Sequence, residues 1–104
     1  MDKKNGTPTK GRTKELKAKY NTILKEMSID SQVRLVLEHL ISRGSITQME
    51  AVDEYGCYRL SARIYELRND DKVPITTIQV ENLHNSGHHA KYLLDDYYDK
   101  GGDL

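Results

Sequence analysis

SQVRLVLEHLISRGSITQMEAVDEYGCYRLSARIYELRND, residues 31 to 70, decides how the rest of the chain is read. Ser31 after Asp30 is a good N-cap, and Val33, Val36, Leu37, Leu40 and Ile41 recur at helical spacing until Gly44 stops them. Ser45, Ile46 and Thr47 make a short extended link. Thr47-Gln48-Met49-Glu50 then has the capping-box pattern, in which the Thr47 hydroxyl takes the Glu50 amide and the Glu50 carboxylate takes the Thr47 amide. A short helix follows to about Tyr55, and Gly56 closes it in the backbone conformation that glycine adopts cheaply. Leu60, Ile64 and Leu67 recur at i, i+4 and i+7, which predicts a buried stripe on a further helix running to about Asn69.

That stripe leaves Arg59, Ala62, Arg63 and Glu66 away from the core or on its flank. A helix, a tight turn and a second helix with an exposed polar face make the helix-turn-helix pattern. Asp70-Asp71-Lys72 reads as a turn, and Val73 to Glu81 is rich in β-branched residues, with Pro74 near its start where a strand tolerates it. Residues 82 to 87, NLHNSG, form a loop, and Ala90 to Leu94 returns as a second strand. The register stays open: Ile75 and Thr77 face inward, or Ile78 and Val80 do. Upstream, Leu16, Tyr20, Ile23, Leu24 and Met27 fall at helical spacing, so residues 13 to 28 are an amphipathic helix. Its stripe covers either the main domain or a second copy of the chain. Residues 1 to 12 have the composition of a flexible basic arm, and residues 95 to 104 that of a frayed acidic tail.

The expected fold class is therefore mainly α with a C-terminal β-hairpin (α+β). Three helices, with an extended segment between the first two and a hairpin after the third, follow the order of a winged helix-turn-helix. Residues 31 to 94 resemble the small winged helix-turn-helix domain of phage and prophage proteins, through the opening stretch, "PITT" at the start of the wing and "AKYLL" at its end. With the flanking link the domain spans 29 to 94, preceded by the extra N-terminal helix. The resemblance implies double-stranded DNA as partner, with the last helix in the major groove and the wing on the adjacent backbone. On that reading the DNA-binding candidates are Thr47, Gln48, Tyr58, Arg59, Ser61, Ala62, Arg63 and Lys91, with Lys10 and Arg12 on the arm.

Charge argues for restraint. The chain has no net charge, with sixteen basic and sixteen acidic residues. They are unevenly placed: residues 1 to 30 hold eight Lys or Arg against four Asp or Glu, and residues 71 to 104 hold three against six. The wing has only His84, His88, His89 and Lys91 as basic groups, so duplex contact leans on Arg59, the stronger candidate, and Arg63. Arg63 equally suits an ion pair with Glu66 at i+3. Arg68 is explained by the helix dipole alone. The alternative function is a phage anti-defence protein, such as an anti-CRISPR inhibitor, that binds a host nuclease through its acidic or winged-helix surface. Partner anchors would then include Tyr97 and Tyr98, while Leu16, Tyr20, Ile23 and Met27 would serve a homodimer.

Catalysis has no sequence support, because no phosphate-binding glycine loop, nucleophile-base order or metal-ligand set is present. No cofactor is expected. The three wing histidines lack further ligands of fixed geometry, and the single Cys57 reads as a small apolar residue at a turn. No apolar run approaches the roughly 20 residues that span a bilayer, and the N-terminus has no signal-like segment, so the expected location is the host cytoplasm.

Overall fold

The computed structural model describes residues 8–98, with side chains from Thr13 onward. Its elements run α1 (Pro8–Lys19), α2 (Asn21–Glu26), α3 (Gln32–Arg43), β1 (Ser45–Thr47), α4 (Gln48–Tyr55), α5 (Leu60–Asn69), β2 (Ile75–Glu81), β3 (His88–Leu94) and α6 (Asp95–Tyr98). The architecture is the expected mixture: helices packed on a small antiparallel sheet, with order β1-β3-β2.

The local signals hold. Ser31 caps α3 by accepting from the Arg34 amide at 3.1 Å, and Gly44 ends it in the left-handed region with φ 89°. At α4 both halves of the capping box form: Thr47 Oγ1 accepts from Glu50 N at 3.2 Å, and Glu50 Oε1 accepts from Thr47 N at 3.0 Å. Gly56 closes that helix with φ 63°. Leu60, Ile64 and Leu67 are all buried, in one core with Val36, Leu37, Leu40, Ile41, Ile46, Ala51 and Cys57. Cys57 is thus the small apolar turn residue its surroundings implied.

The register question is resolved by Ile75, which is buried and opposite Leu94. Because strand side chains alternate, Ile75, Thr77 and Gln79 share the core-side face, and Ile78 and Val80 the other. Residues 45 to 47 were expected only as an extended link, yet they pair with Lys91 to Leu93 and make the sheet three-stranded.

Three readings of the flanks change. The N-terminal helix begins at Pro8, five residues ahead of Thr13, because proline suits a first helical turn whose amide has no intrahelical acceptor. Residues 1 to 7 of the arm lie outside the described residues, as do the side chains of Lys10 and Arg12. The helix also breaks at Tyr20 into α1 and α2, although Tyr20 N still donates to Leu16 O and Leu24 N to Tyr20 O, both at 2.9 Å.

Its stripe lies on the chain's own domain: Leu16, Tyr20 and Leu24 are buried in the core, with Ile23 and Met27 packed against it. That is the intramolecular of the two expected outcomes. Finally, Asp95 to Tyr98 form a helical turn where a frayed tail was expected. Asp96 accepts from Lys19 Nζ at 2.7 Å and from the Tyr20 hydroxyl at 2.5 Å, tying α6 to α1. Burial and the Asp96 carboxylate together push the Tyr20 hydroxyl well above its ordinary range, so it stays a donor.

Candidate nucleic-acid interface

The turn between α4 and α5 sets the attitude of the candidate reading helix. The N-cap of α5 is Arg59, whose side chain makes no capping bond. Gln48 supplies the cap from the other helix: its Oε1 accepts from Leu60 N at 3.2 Å, while its Nε2 donates to Cys57 O at 2.7 Å. One amide thus ties the start of α4 to the start of α5. Gln48 was a candidate DNA contact; in the structure both ends of its side chain are engaged in positioning the helix. Thr47 is likewise committed as the α4 cap.

The exposed surface at the N-terminal half of α5 comprises Tyr58, Arg59, Ser61 and Tyr65, with Ala62 half-buried among them. Tyr58 and Tyr65 are 75% and 66% exposed. Tyr65 was read only as one of several tyrosines able to stack on a base or anchor a partner, not as a duplex contact; its offset of one position from Ile64, the core residue, was the available signal. Arg59 makes no ion pair among the described residues. Arg63 does: its Nη1 donates to both Glu66 carboxylate oxygens at 3.1 and 3.2 Å, and its Nε is buried with no partner. Of the two sequence alternatives for Arg63, the ion pair is the one formed here.

Arg68 does more than face a helix dipole. Its Nε donates to Ile75 O at 3.0 Å and its Nη2 to Thr77 Oγ1 at 2.6 Å, clamping the flank of α5 to the first wing strand. Lys91 stands apart from this group. It lies opposite Thr47 and Ile78, on the sheet face away from the core side. Tyr97 and Tyr98 are also elsewhere: their rings meet edge to face at 5.1 Å over Gly44, with Tyr97 packed against the core. The structure therefore brings together Gln48, Tyr58, Arg59, Ser61, Ala62 and Arg63. Thr47, Lys91 and the two terminal tyrosines fall outside that patch.

Elsewhere, α3 meets α4 at a buried histidine that the sequence reading missed. His39 Nδ1 is 2.8 Å from the Tyr55 hydroxyl, and Nε2 is buried without a hydrogen-bond partner. Burial lowers the His39 pKa, and the Arg43 charge adds to this; Glu54 and Glu50, each 3.8 Å from a ring nitrogen, pull the other way without prevailing. The unfolded chain then binds the proton more tightly than the folded one. Stability contributed by neutral His39 is complete above the ordinary histidine value of about 6.5 and is lost as pH falls below it. Urea unfolding at pH 7.5 and pH 5.5 should show that loss, and His39→Gln should flatten it. Equal pH dependence in both proteins would exclude the histidine as its source.

Among the described residues, no group of three or more His, Cys, Asp or Glu is placed to hold a metal ion, and no helix is long and apolar enough to cross a membrane. No curated protein and no solved structure matches the chain significantly. The winged helix-turn-helix domain family matches residues 31–96, from the cap of α3 to the first turn of α6. That span holds the helix-turn-helix, the Gln48 brace and the whole wing, and the chain belongs to this winged helix-turn-helix family.

Proposed function

We propose that the chain binds duplex DNA through the N-terminal half of α5, as a small phage or prophage transcriptional regulator or recombination accessory factor. The observation that carries this reading is the open patch of Tyr58, Arg59, Ser61 and Tyr65 on a helix whose attitude is braced at both ends, by Gln48 and Arg68. Braced elements hold side chains to the precision that base readout needs. Its role is binding rather than catalysis. Since the Leu16, Tyr20, Ile23 and Met27 stripe rests on the chain's own core, one copy per half-site is the simplest stoichiometry.

The patch is weakly charged, so binding is modest and its salt dependence shallow. Arg63 is neutralised by Glu66 and Arg68 is turned to the wing, which leaves Arg59 as the principal cation of the patch. Titration of the protein into a pool of random duplexes at about 50 mM salt, where phosphate contacts are strongest, tests the reading. Arg59→Ala should weaken binding about tenfold and, for a phosphate contact, make the salt slope shallower by about one unit. Arg63→Ala should leave affinity close to the parent, because the ion pair it breaks is worth about 0.2 to 0.5 kcal/mol of stability and faces Glu66. Absence of duplex binding at low salt, or an Arg59→Ala variant that binds like the parent, overturns the proposal.

A further inference from the structure

A second surface lies between α4 and the wing loop, and its chemistry is unlike that of the α5 patch. The first two turns of α4 and the wing loop face each other across an open cleft of about 830 Å³. Met49, Val52 and Asp53 stand on one wall, and Asn82, Leu83 and His84 on the other. Met49 is 73% exposed and Leu83 is 92% exposed.

The exposure of Leu83 is imposed by the loop. Asn82 Nδ2 donates to Asn85 Oδ1 at 2.7 Å, Gly87 N donates to the same oxygen at 2.7 Å, and Asn82 N donates to Gly87 O at 2.9 Å. His89 Nδ1 joins Asn82 Oδ1 at 2.5 Å. These bonds close the loop around residues 82 to 87 and hold the leucine outward, where it has no apolar neighbour to cover it. A large aliphatic side chain fixed in water across from an exposed methionine has the form of an interaction surface, because each would gain by burial against a third apolar group.

Charge selects the partner. The carboxylates lining the cleft are Glu50 and Asp53, with the imidazoles of His84 and His89 on the wing side; none of its described lining residues is Lys or Arg. Glu50 is committed in part to the α4 cap, whereas Asp53 is exposed and makes no ion pair among the described residues. Carboxylates beside two aliphatic side chains repel a phosphate backbone, and no Lys or Arg stands among the described lining residues to offset that repulsion. They complement a segment with an apolar anchor flanked by cationic groups. We infer that the cleft between α4 and the wing docks a protein segment carrying an aliphatic anchor flanked by Lys or Arg, so that the domain presents nucleic acid and protein with different sets of side chains.

The test uses the full chain and two short synthetic peptides, one with a Leu-Leu pair between lysines and one with the same pair between glutamates. Methyl NMR spectra of Met49, Val52 and Leu83 should shift saturably with the lysine peptide and not with the glutamate peptide. Asp53→Lys should weaken the lysine peptide about tenfold, as should Met49→Ser combined with Leu83→Ser. All three positions are exposed at the cleft rim, and the double serine variant should keep the parent's duplex affinity. Failure of the lysine peptide to shift these methyls overturns the inference. So do equal shifts with both peptides, which would mark a merely greasy surface, and shifts of the same methyls by duplex DNA. Duplex binding by the α5 patch is read separately, so either surface can fail while the other stands.

Discussion

Replacing Ile64 by Ala should cost about 2 to 5 kcal/mol, the range found for buried aliphatic truncations. Ile64 is 1% exposed and sits midway along α5, between Leu60 and Leu67, both fully buried, where the helix packs on α3. Its removal leaves a cavity that neither neighbour fills without lifting the helix. A domain of this size has a total margin of roughly 5 to 10 kcal/mol, so the variant should be largely unfolded at moderate urea. Ile64→Val removes one methylene, should cost about 0.5 to 1.5 kcal/mol, and should keep the fold. The Arg59→Ala substitution in the same helix is the control, since Arg59 is exposed and should leave the urea midpoint in place. A loss of only a few tenths of a kcal/mol for Ile64→Ala would mean that α5 presents a different face to the core.

Gly44→Ala should be nearly as damaging, for a reason outside the helix-turn-helix. Gly44 ends α3 at φ +89°, where a Cβ costs about 1 to 2 kcal/mol. The added carbon would also lie 2.5 Å from Tyr97 Cδ1 and 2.8 Å from the Tyr98 hydroxyl. The Tyr97 ring cannot give way freely: it packs on the core, and Asp96 beside it is tied to Lys19 and Tyr20. The substitution should therefore loosen α6 as well as strain the cap, with a total loss above about 2 kcal/mol. Gly56→Ala provides the comparison. Gly56 has φ +63° and no atom within 4 Å of the new Cβ, so its loss should be the backbone part alone, about 1 to 2 kcal/mol. Equal losses in urea unfolding would show that the tyrosine rings do not brace Gly44.

The two glycines show what the sequence could and could not reveal. Both were legible as helix stops, because a left-handed residue after an apolar periodic run is a local signal. The Thr47-Glu50 capping box and the Leu60, Ile64, Leu67 stripe were legible for the same reason: each is written within a few positions. The load of Tyr97 on Gly44 was not, since nothing near either residue announces a contact across more than fifty positions. Gln48 has a structural role within the site that the sequence did not announce. An exposed glutamine at the start of a helix has the chemistry of a base contact, and only the three-dimensional turn shows its amide bonded to Cys57 and Leu60. Arg68 and Thr77 repeat the lesson, as an ordinary helix-end arginine became the clamp of the wing. The Met49–Leu83 cleft was likewise beyond sequence reading, because its two walls lie more than thirty positions apart and are brought together by the strand pairing of β1 and β3.

The contact of Lys19 and Tyr20 with Asp96 joins positions 77 and 76 residues apart. A chain made from its N-terminal end exposes α1 and α2 long before α6 exists, and the loop to be closed is nearly the whole domain. The helix-turn-helix and the wing can assemble from nearer neighbours while Tyr20 still lacks its acceptor. The clasp is consequently a late event in the assembly of the molecule, and its release would unlatch α6 from the N-terminal helices before the helix-turn-helix part of the core, around Leu60, Ile64 and Leu67, is disturbed. The two ends of the described chain thus behave as a single seal, closed last and opened first, over a core to which Leu16, Tyr20 and Leu24 themselves contribute.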